Sequence, residues 1–242
     1  MPEYSVSPWC NSARKRAFDI TFAGILLCVL MPVLVLLALL VKLTSKGEVF
    51  FRQSRPGRDG REFKIVKYRT MVTNRHQPGP VLTRAEDPRV TWVGRHLRKW
   101  KLDELPQLLN VLRGEMSFVG PRPQATKLWA EPTIQDLAVK VLSVRPGITS
   151  YATLNFRNEE ELLAPLTAEE IEKVYTRDIM PAKLRMDLSY LHTANFASDI
   201  RLMFKTSARI LSPREEDNAS LVKEHLPAIE ERNYRSAVEN GD

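Results

Sequence analysis

The longest hydrophobic segment of the chain lies near its beginning. Between Asp19 and Lys42 there are 22 uncharged, mostly aliphatic residues, enough to form a membrane helix. Pro32 falls near the middle, where a proline removes one helix hydrogen bond and bends the axis. Basic residues flank both ends, so the positive-inside rule assigns both ends to the cytoplasmic side. A cleaved signal peptide is disfavoured by the length of the run, and the pattern leaves a re-entrant helix and a spanning helix open.

Two short segments after the hydrophobic one have the composition of β-strands. Residues 48–53 and 61–69 are rich in Phe, Val and Ile, and residues 55–60 between them contain Pro-Gly and Asp-Gly pairs. Such pairs are typical of turns, so this pattern predicts a β-hairpin. Residues 75–88 contain a Gln-Pro-Gly-Pro run and are predicted to form a loop.

Helical spacing dominates the rest of the chain. Helices are predicted at residues 93–100 and 103–112, from a capping box at Thr167 and Glu170, from Pro181, and at residues 195–211. The last of these is amphipathic and basic, which suits both core packing and contact with an anionic membrane surface. With the hairpin, these helices predict an α+β fold that is mainly helical.

Two loops rich in Gly and Pro each carry an arginine. Residues 114–123 are predicted to form neither a helix nor an interior strand, and residues 145–149 form a second loop of the same kind. A rigid backbone would hold Arg122 and Arg145 in fixed directions, and a fixed guanidinium suits bidentate binding of phosphate. Either loop alone is a weak signal, but the two together favour an anion-binding pocket.

The strongest candidate for chemistry is the carboxylate pair Asp103 and Glu104. It follows a basic stretch that contains Arg98 and precedes the loop that carries Arg122. Basic surroundings keep an aspartate ionised, and so nucleophilic or able to bind a metal, while phosphates dock beside it. The alternative is that the pair caps the helix that follows, and both interpretations can hold at once.

The composition narrows the possible partners. The 242 residues carry a formal charge of +7, which favours nucleic acid, acidic lipids or phosphorylated small molecules. The two cysteines do not form a disulfide framework, and the four histidines lack zinc-ligand spacing. A catalytic metal would therefore be Mg²⁺ on oxygen ligands. The sequence has no Walker A or GxGxxG motif, which argues against a kinase or a Rossmann enzyme.

Two non-enzymatic classes compete with a catalytic interpretation. A membrane-tethered nucleic-acid-binding module would explain the positive charge, but the basic residues lie in Pro/Gly loops without interleaved aromatic residues. A membrane scaffold would explain the hydrophobic segment and the amphipathic helices, but it gives no role to Asp103 and Glu104.

Several ordered motifs resemble those of the monotopic phosphoglycosyl transferases of the bacterial sugar transferase family. The resemblance extends from about residue 15 to about residue 206, and its motifs are residues 15–19, 53–57, 67–71, 87–91, 97–98, 102–107, 110–112, 116–123 and 145–149. Their number, order and spacing make a far more specific signal than any one of them.

The resemblance implies transfer of a phosphosugar from a UDP-sugar to polyprenyl (undecaprenyl) phosphate, with release of UMP. It implies that Asp103 is the nucleophile of a covalent aspartyl intermediate, that Glu104 binds Mg²⁺, and that Pro32 breaks a re-entrant helix. The substrate phosphates would be bound by Lys67, Arg98 and Arg122, to which the second Gly/Pro loop adds Arg145.

The expected organisation has four parts. They are an N-terminal segment (residues 1–18), a re-entrant membrane helix (19–43), a catalytic domain with interfacial helices (44–211) and a charged tail (212–242). The catalytic domain would lie on the cytoplasmic face of the bacterial inner membrane and carry out the first membrane step of glycoconjugate assembly. Membrane lipids are expected partners and nucleic acid is not. The sequence does not determine whether the protein forms a homo-oligomer.

The chain departs from the family pattern at three places. Met31 stands where the family usually has Ser before the proline, and Glu115 stands where it usually has Asp. Residues 150–156 replace a Gly-rich continuation. The last departure bears on the substrate pocket, so the resemblance does not identify the sugar.

Overall fold

The computed structural model describes residues 5–72, 87–156, 159, 163 and 166–211. Most of the predicted loop at residues 75–88 and all of the predicted tail at residues 212–242 lie outside the described residues. The described part is mainly helical and contains two small sheets. The prediction of a mainly helical α+β fold is therefore confirmed.

The hydrophobic segment forms one long helix. This helix, α1, spans Ala13–Thr44, and it begins where the Ser12 side chain accepts a hydrogen bond from the backbone N–H of Lys15. It is the one helix in the described residues that is long and apolar enough to cross a membrane, with a mean hydropathy of 3.1 over its most apolar window. The helical conformation continues through Pro32, which does not divide α1 into two helices.

The predicted hairpin is confirmed. Strands β1 (Phe50–Pro56) and β2 (Glu62–Tyr68) pair antiparallel, with Gln53 opposite Ile65. The chain reverses through Asp59 and Gly60, which have φ angles of 59° and 73°. Asp and Gly are among the few residues that adopt this left-handed region readily.

The prediction that residues 114–123 contain no interior strand is wrong. Ser117–Val119 forms a fully buried strand, β3, which pairs parallel with β4 (Gly147–Thr149) from the second Gly/Pro loop. Glycine permits this pairing because the two backbones nearly touch. A Cβ on Gly120 would lie 2.4 Å from the carbonyl oxygen of Arg145, and one on Gly147 would lie 2.2 Å from the amide nitrogen of Gly120. The glycines therefore allow close approach as well as turning.

The predicted helices after the hairpin are present, but the one predicted from residue 103 begins as a 3-10 turn and becomes α-helical at Leu108. Two further helices, at Gln135–Val141 and Tyr151–Asn155, were not predicted. The helices after the hairpin are α2 (Trp92–Lys99), α3 (Leu108–Arg113), α4 (Gln135–Val141), α5 (Tyr151–Asn155), α6 (Ala168–Val174), α7 (Met180–Thr193) and α8 (Phe196–Leu211). The capping box of Thr167 and Glu170 is present at the start of α6. Pro181 lies in the first turn of α7, but a π-helical turn over Tyr175–Ile179 joins α6 to α7, so the chain stays helical before the proline.

Both halves of α1 pack against the same folded body. Ala23, in the first half, belongs to a cluster with residues of β2, α3, β3 and α8. Leu34 and Leu37, in the second half, belong to a cluster with Tyr68 and α2. The Tyr68 hydroxyl donates a hydrogen bond of 2.7 Å to the carbonyl of Leu34. A third and larger cluster holds α4, α6 and α7 together.

Candidate active site

The carboxylate pair lies in a 3-10 turn between α2 and α3. This turn spans Leu102–Gln107, and the residue before it, Lys101, has a left-handed backbone with φ 53°. Asp103 and Glu104 are both only 7% exposed. Because β2 packs beside this turn, the hairpin can bring a basic residue to the acidic pair.

Glu104 is held by two cations from different parts of the chain. Lys67, on β2, donates a hydrogen bond of 2.8 Å from Nζ to Oε1 of Glu104. Arg122, in the loop after β3, donates to both carboxylate oxygens, at 2.5 Å to Oε1 and 3.2 Å to Oε2. This two-pronged pairing is the strong form of the arginine–carboxylate interaction. The structure thus brings together Lys67, Arg122 and Glu104, all three predicted from the sequence.

Asp103 has a different environment from its neighbour. Its Oδ1 atom is buried and has no hydrogen-bond partner among the described residues. Burial raises the pKa of the Asp103 carboxyl group, although the charges of Lys67, Lys101 and Arg98 oppose this rise. An unpartnered, desolvated carboxylate oxygen is a strong nucleophile when it is ionised.

The pKa of Glu104 moves in the opposite direction. Burial alone would raise it, but the nearby charges of Arg122 and Lys67 outweigh burial and hold the pKa well below its usual range. Burial lowers the pKa of Lys67, and the like charge of Arg122 adds to this effect. Glu104 therefore stays ionised, whereas the charge of Asp103 depends on what binds beside it.

The other two predicted phosphate ligands lie in different places. Arg98, on α2, is half-buried, and its charge favours the ionised forms of both Asp103 and Asp87. Arg145 donates a hydrogen bond of 3.0 Å from Nε to the carbonyl of Gly114. The cations that act on Arg145 are Arg58 and Arg16, so the structure does not bring Arg145 to the carboxylate pair.

Three further residues act on the site although they were not predicted as site residues, and one of them, Lys101, lies in the basic stretch noted before the carboxylate pair. Lys101 acts electrostatically on both carboxylates. Arg55 is half-buried and lies beside Arg122, and burial followed by that like charge lowers its pKa to about 10. Asp187, on α7, accepts a hydrogen bond of 2.9 Å from the backbone N–H of Ala152. Burial raises the pKa of Asp187 to about 7, and the backbone N–H groups of Ala152 and Arg122 oppose this rise. Arg55 lies in one of the quoted motifs, whereas Asp187 is far away in sequence and carried no local signal.

A largely apolar cavity opens beside the carboxylate turn. Its volume is about 590 Å³, and it lies between the first half of α1, α3, the β3–β4 sheet and α8. Phe18, Phe22 and Leu26 of α1 line one wall, whereas Glu104 and Arg122 lie at its polar part. The site therefore combines a charged centre with an adjoining space suited to a hydrocarbon chain.

Comparison with known proteins places this arrangement in one family. The model of the family described as "Bacterial sugar transferase" matches residues 10–213. The chain belongs to the bacterial sugar transferase family. This confirms the family predicted from the ordered motifs.

Named relatives in this family act on different sugars. A "UDP-glucose:undecaprenyl-phosphate glucose-1-phosphate transferase" of Escherichia coli (strain K12) is 40% identical over 81% of this chain and 40% of its own length. A protein of the same name from Caulobacter vibrioides is 37% identical over 85% of this chain and 72% of its own length. A "UDP-N-acetylgalactosamine-undecaprenyl-phosphate N-acetylgalactosaminephosphotransferase" of Aeromonas hydrophila is 33% identical over 82% of this chain and 44% of its own length. The chain thus spans about two fifths of the E. coli and Aeromonas proteins.

The carboxylates of the site fit a magnesium ion only if a diphosphate supplies further ligands. No cluster of three or more acidic, His or Cys side chains exists among the residues that the structure describes. Mg²⁺ is usually bound by one or two carboxylates together with substrate phosphates and water. Asp103 offers an unpartnered oxygen, and Oε2 of Glu104 accepts only one long hydrogen bond. These two carboxylates fit a magnesium ion that arrives with a nucleotide sugar.

Proposed function

We propose that this protein transfers a sugar-1-phosphate from a UDP-sugar to polyprenyl (undecaprenyl) phosphate and releases UMP. The observation that carries the proposal is the difference in hydrogen bonding between the two adjacent carboxylates. Asp103 keeps a buried oxygen without a partner, while the adjacent Glu104 is fixed by Lys67 and Arg122. The names of the relatives support the same substrates. They do not agree on the sugar.

The first half of the proposed reaction forms a covalent intermediate on Asp103. An oxygen of Asp103 attacks the phosphorus that bears the sugar, and the bond from this phosphorus to the UMP oxygen breaks. The leaving group is UMP and the product is an aspartyl phosphosugar. Arg122 and Lys67 lie where they can stabilise the negative charge that develops on the phosphoryl oxygens.

The second half regenerates the carboxylate. An oxygen of polyprenyl phosphate attacks the same phosphorus, and the bond to Asp103 breaks with its electron pair returning to the carboxylate. Dividing the reaction keeps the two polyanionic substrates from meeting in one encounter, where they would repel each other.

Magnesium would be held by Glu104 and Asp103 together with the donor diphosphate. When bound, it would neutralise the diphosphate and lower the barrier to attack by an anionic carboxylate. The chain contributes the fixed position of Glu104, because Lys67 and Arg122 hold this carboxylate from two sides.

The apolar cavity is the proposed site for the hydrocarbon chain of the acceptor. It adjoins the first half of α1 and ends near Glu104 and Arg122. An isoprenoid that leaves the bilayer along α1 could therefore lie in the cavity with its phosphate near the carboxylate turn.

Contacts at both ends of α1 support a re-entrant topology. Near its start, Arg16 donates a hydrogen bond of 2.6 Å to the carbonyl of Val111. Near its end, Arg69 donates to the carbonyls of Val41 and Ser45, at 3.3 and 2.7 Å. A bilayer core of about 30 Å could not separate two ends that bind the same folded body.

The resulting location is the cytoplasmic face of the bacterial inner membrane. The membrane segment would comprise residues 19–43, with a bend at Pro32 in place of a complete crossing, and the catalytic domain would comprise residues 44–211. Exposed apolar residues on α8, such as Phe204 at 72% exposure, suit contact with lipid beside α1.

A UMP-release assay tests the proposed reaction. The full chain in detergent or nanodiscs, with undecaprenyl phosphate and Mg²⁺, should release UMP from one member of a panel of UDP-sugars. The panel includes UDP-glucose and UDP-N-acetylgalactosamine. Release of UMP with no acceptor should stop after one equivalent, because each molecule retains one adduct. Absence of UMP release across the whole panel would contradict the proposal.

Accessibility of the two termini tests the topology. Tags at residues 1 and 242 should both react only with a cytoplasmic probe, because both ends of α1 face the same side. Tags that react from opposite faces would mean that α1 spans the bilayer.

A further inference from the structure

Lys101 is a cation at the site that forms no ion pair with any residue that the structure describes. Its side chain lines the apolar cavity, and its charge favours the ionised forms of Asp103 and Glu104. No ion pair or hydrogen bond of its ammonium group occurs within the described ranges. By contrast, Lys67 and Arg122 are both paired with Glu104.

The backbone of Lys101 is unusual for a residue with a side chain. Lys101 lies two residues after the end of α2 and has φ 53° and ψ 21°, the left-handed conformation that glycine adopts without strain near the ends of helices. Lysine adopts this conformation at a cost, and such outliers concentrate at functional sites. The conformation places Lys101 between the end of α2 and the carboxylate turn, where its backbone carbonyl accepts a hydrogen bond of 3.2 Å from the N–H of Glu104.

The positions of the cations divide the site into two sides. Lys67 acts on Asp103 from β2 and is not part of the cavity wall, whereas Lys101 acts on Asp103 from the cavity. The other cations that line the cavity form hydrogen bonds with groups of the protein. Arg122 binds Glu104, and Arg209 donates a hydrogen bond of 3.0 Å to the carbonyl of Leu154. An anion that enters through the cavity would therefore meet Lys101.

We infer that Lys101 binds the phosphate of the lipid acceptor in the second half-reaction. This inference rests on the proposed function, since it assigns the cavity to the acceptor and the side of Lys67 to the donor. In this step an acceptor phosphate oxygen forms a bond to the phosphorus of the adduct. The phosphorus–oxygen bond to Asp103 breaks, and the electron pair returns to the carboxylate. Lys101 supplies positive charge to the incoming phosphate and takes no covalent part.

Single-turnover kinetics of Lys101→Met separate the two half-reactions. The adduct is formed first with the UDP-sugar that gives the highest UMP release, and it is then chased with undecaprenyl phosphate. The concentration of undecaprenyl phosphate for half-maximal rate should rise about 10- to 100-fold, the range for losing one charge-assisted hydrogen bond, and this rise should exceed any change in the rate of adduct formation. The charge of Lys101 also favours the ionised form of Asp103, so its loss could change the pH at which the nucleophile is ionised. Each variant is therefore measured at a pH where the rate of its donor half-reaction no longer depends on pH.

Two variants control for structural effects. Lys101→Gly should show the same acceptor defect with an unchanged or higher thermal midpoint, because glycine fits the left-handed backbone. Lys64→Met removes an exposed charge from β2 and should leave both half-reactions unchanged. A loss confined to the donor half-reaction, or no loss in either, would overturn the assignment of Lys101.

Direct binding distinguishes failure of this inference from failure of the proposed function. Lys101→Met should weaken binding of undecaprenyl phosphate to the full chain but leave binding of undecaprenol, which lacks the phosphate, unchanged. This result does not require turnover. Equal effects on both lipids, or no effect on either, would contradict a phosphate contact, whereas missing UMP release in the wild type would contradict the reaction itself.

Discussion

Two clusters of buried charged side chains differ in how many of their polar atoms have hydrogen-bond partners. The first, here called the anchor cluster, consists of Lys15 and Asp19 on α1 and Asp199 on α8. Asp199 accepts hydrogen bonds from Lys15, from the Trp9 indole at 2.8 Å and from the Tyr190 hydroxyl at 2.6 Å. The second is the carboxylate turn, where Asp103 keeps an unpartnered oxygen.

The difference predicts that the anchor cluster stabilises the fold and that the carboxylate turn is available for chemistry. None of the buried polar atoms without a partner lies in the anchor cluster, whereas Asp103 Oδ1 and Gln107 Nε2 both lie in the carboxylate turn. Buried polar groups are expensive unless they are paired, so an unpaired one at a site usually awaits a ligand. Substitutions in the anchor cluster should therefore reduce stability, and substitutions in the carboxylate turn should reduce activity.

The largest expected effect belongs to Asp103→Asn. UMP release and adduct formation should fall by at least about 10⁴-fold, because removal of a nucleophile acts on this scale. The thermal midpoint should stay the same or rise, since the variant removes a buried charge and keeps the shape. An adduct that still forms on the variant, detected by intact-protein mass spectrometry, would exclude Asp103 as the nucleophile.

In the anchor cluster, Asp199→Asn should destabilise the fold by about 3–5 kcal/mol, because it leaves Lys15 charged and buried. Denaturant unfolding of the full chain in detergent measures this loss. The matched control is Asp178→Asn, which removes the partner of Arg177 in a surface pair and should leave the free energy of unfolding almost unchanged, because exposed ion pairs contribute little to stability. Equal costs for the two variants would mean that burial does not distinguish these ion pairs.

Glu104→Gln should lower the rate of UMP release about 100-fold and weaken its dependence on Mg²⁺, because the amide is a poorer ligand for a hard cation. A titration of Mg²⁺ at saturating UDP-sugar gives both quantities. Glu62→Gln on β2 removes an exposed carboxylate and serves as the control. An unchanged metal response in Glu104→Gln would count against Glu104 as the ligand.

The smallest expected effect is the pH dependence of the donor half-reaction. Only the ionised form of Asp103 can attack, and burial raises its pKa, so the rate should fall on acidification. The midpoint of this fall should lie above the value of about 3.9 for an ordinary aspartate. Glu104 stays ionised because its pKa is held low. A midpoint at or below the ordinary value would show that Asp103 is not desolvated.

The sequence by itself determined the local elements and the adjacency of the two carboxylates that we propose as the reactive pair. The apolar run of α1, the turn residues of the hairpin and the capping box of α6 each act through neighbours in the chain, so their patterns are visible without tertiary information. The adjacency of Asp103 and Glu104 is also a sequence property. The motifs that carry Lys67 and Arg122 predicted both residues as phosphate-binding cations, whereas their pairing with Glu104 was not predicted.

Only the tertiary structure decided how those residues are used. The pairing of β3 with β4 depends on close approach of the two backbones at Gly120 and Gly147. The local sequence pattern around these glycines predicts turns instead. That pairing fixes Arg122 on Glu104, and Arg145 lies instead at Gly114. The unpartnered oxygen of Asp103 and the cavity beside Lys101 result from packing between segments far apart in the chain. The burial of a side chain and the electrostatic potential around it depend on residues from many distant segments of the chain. No local sequence pattern therefore encodes them.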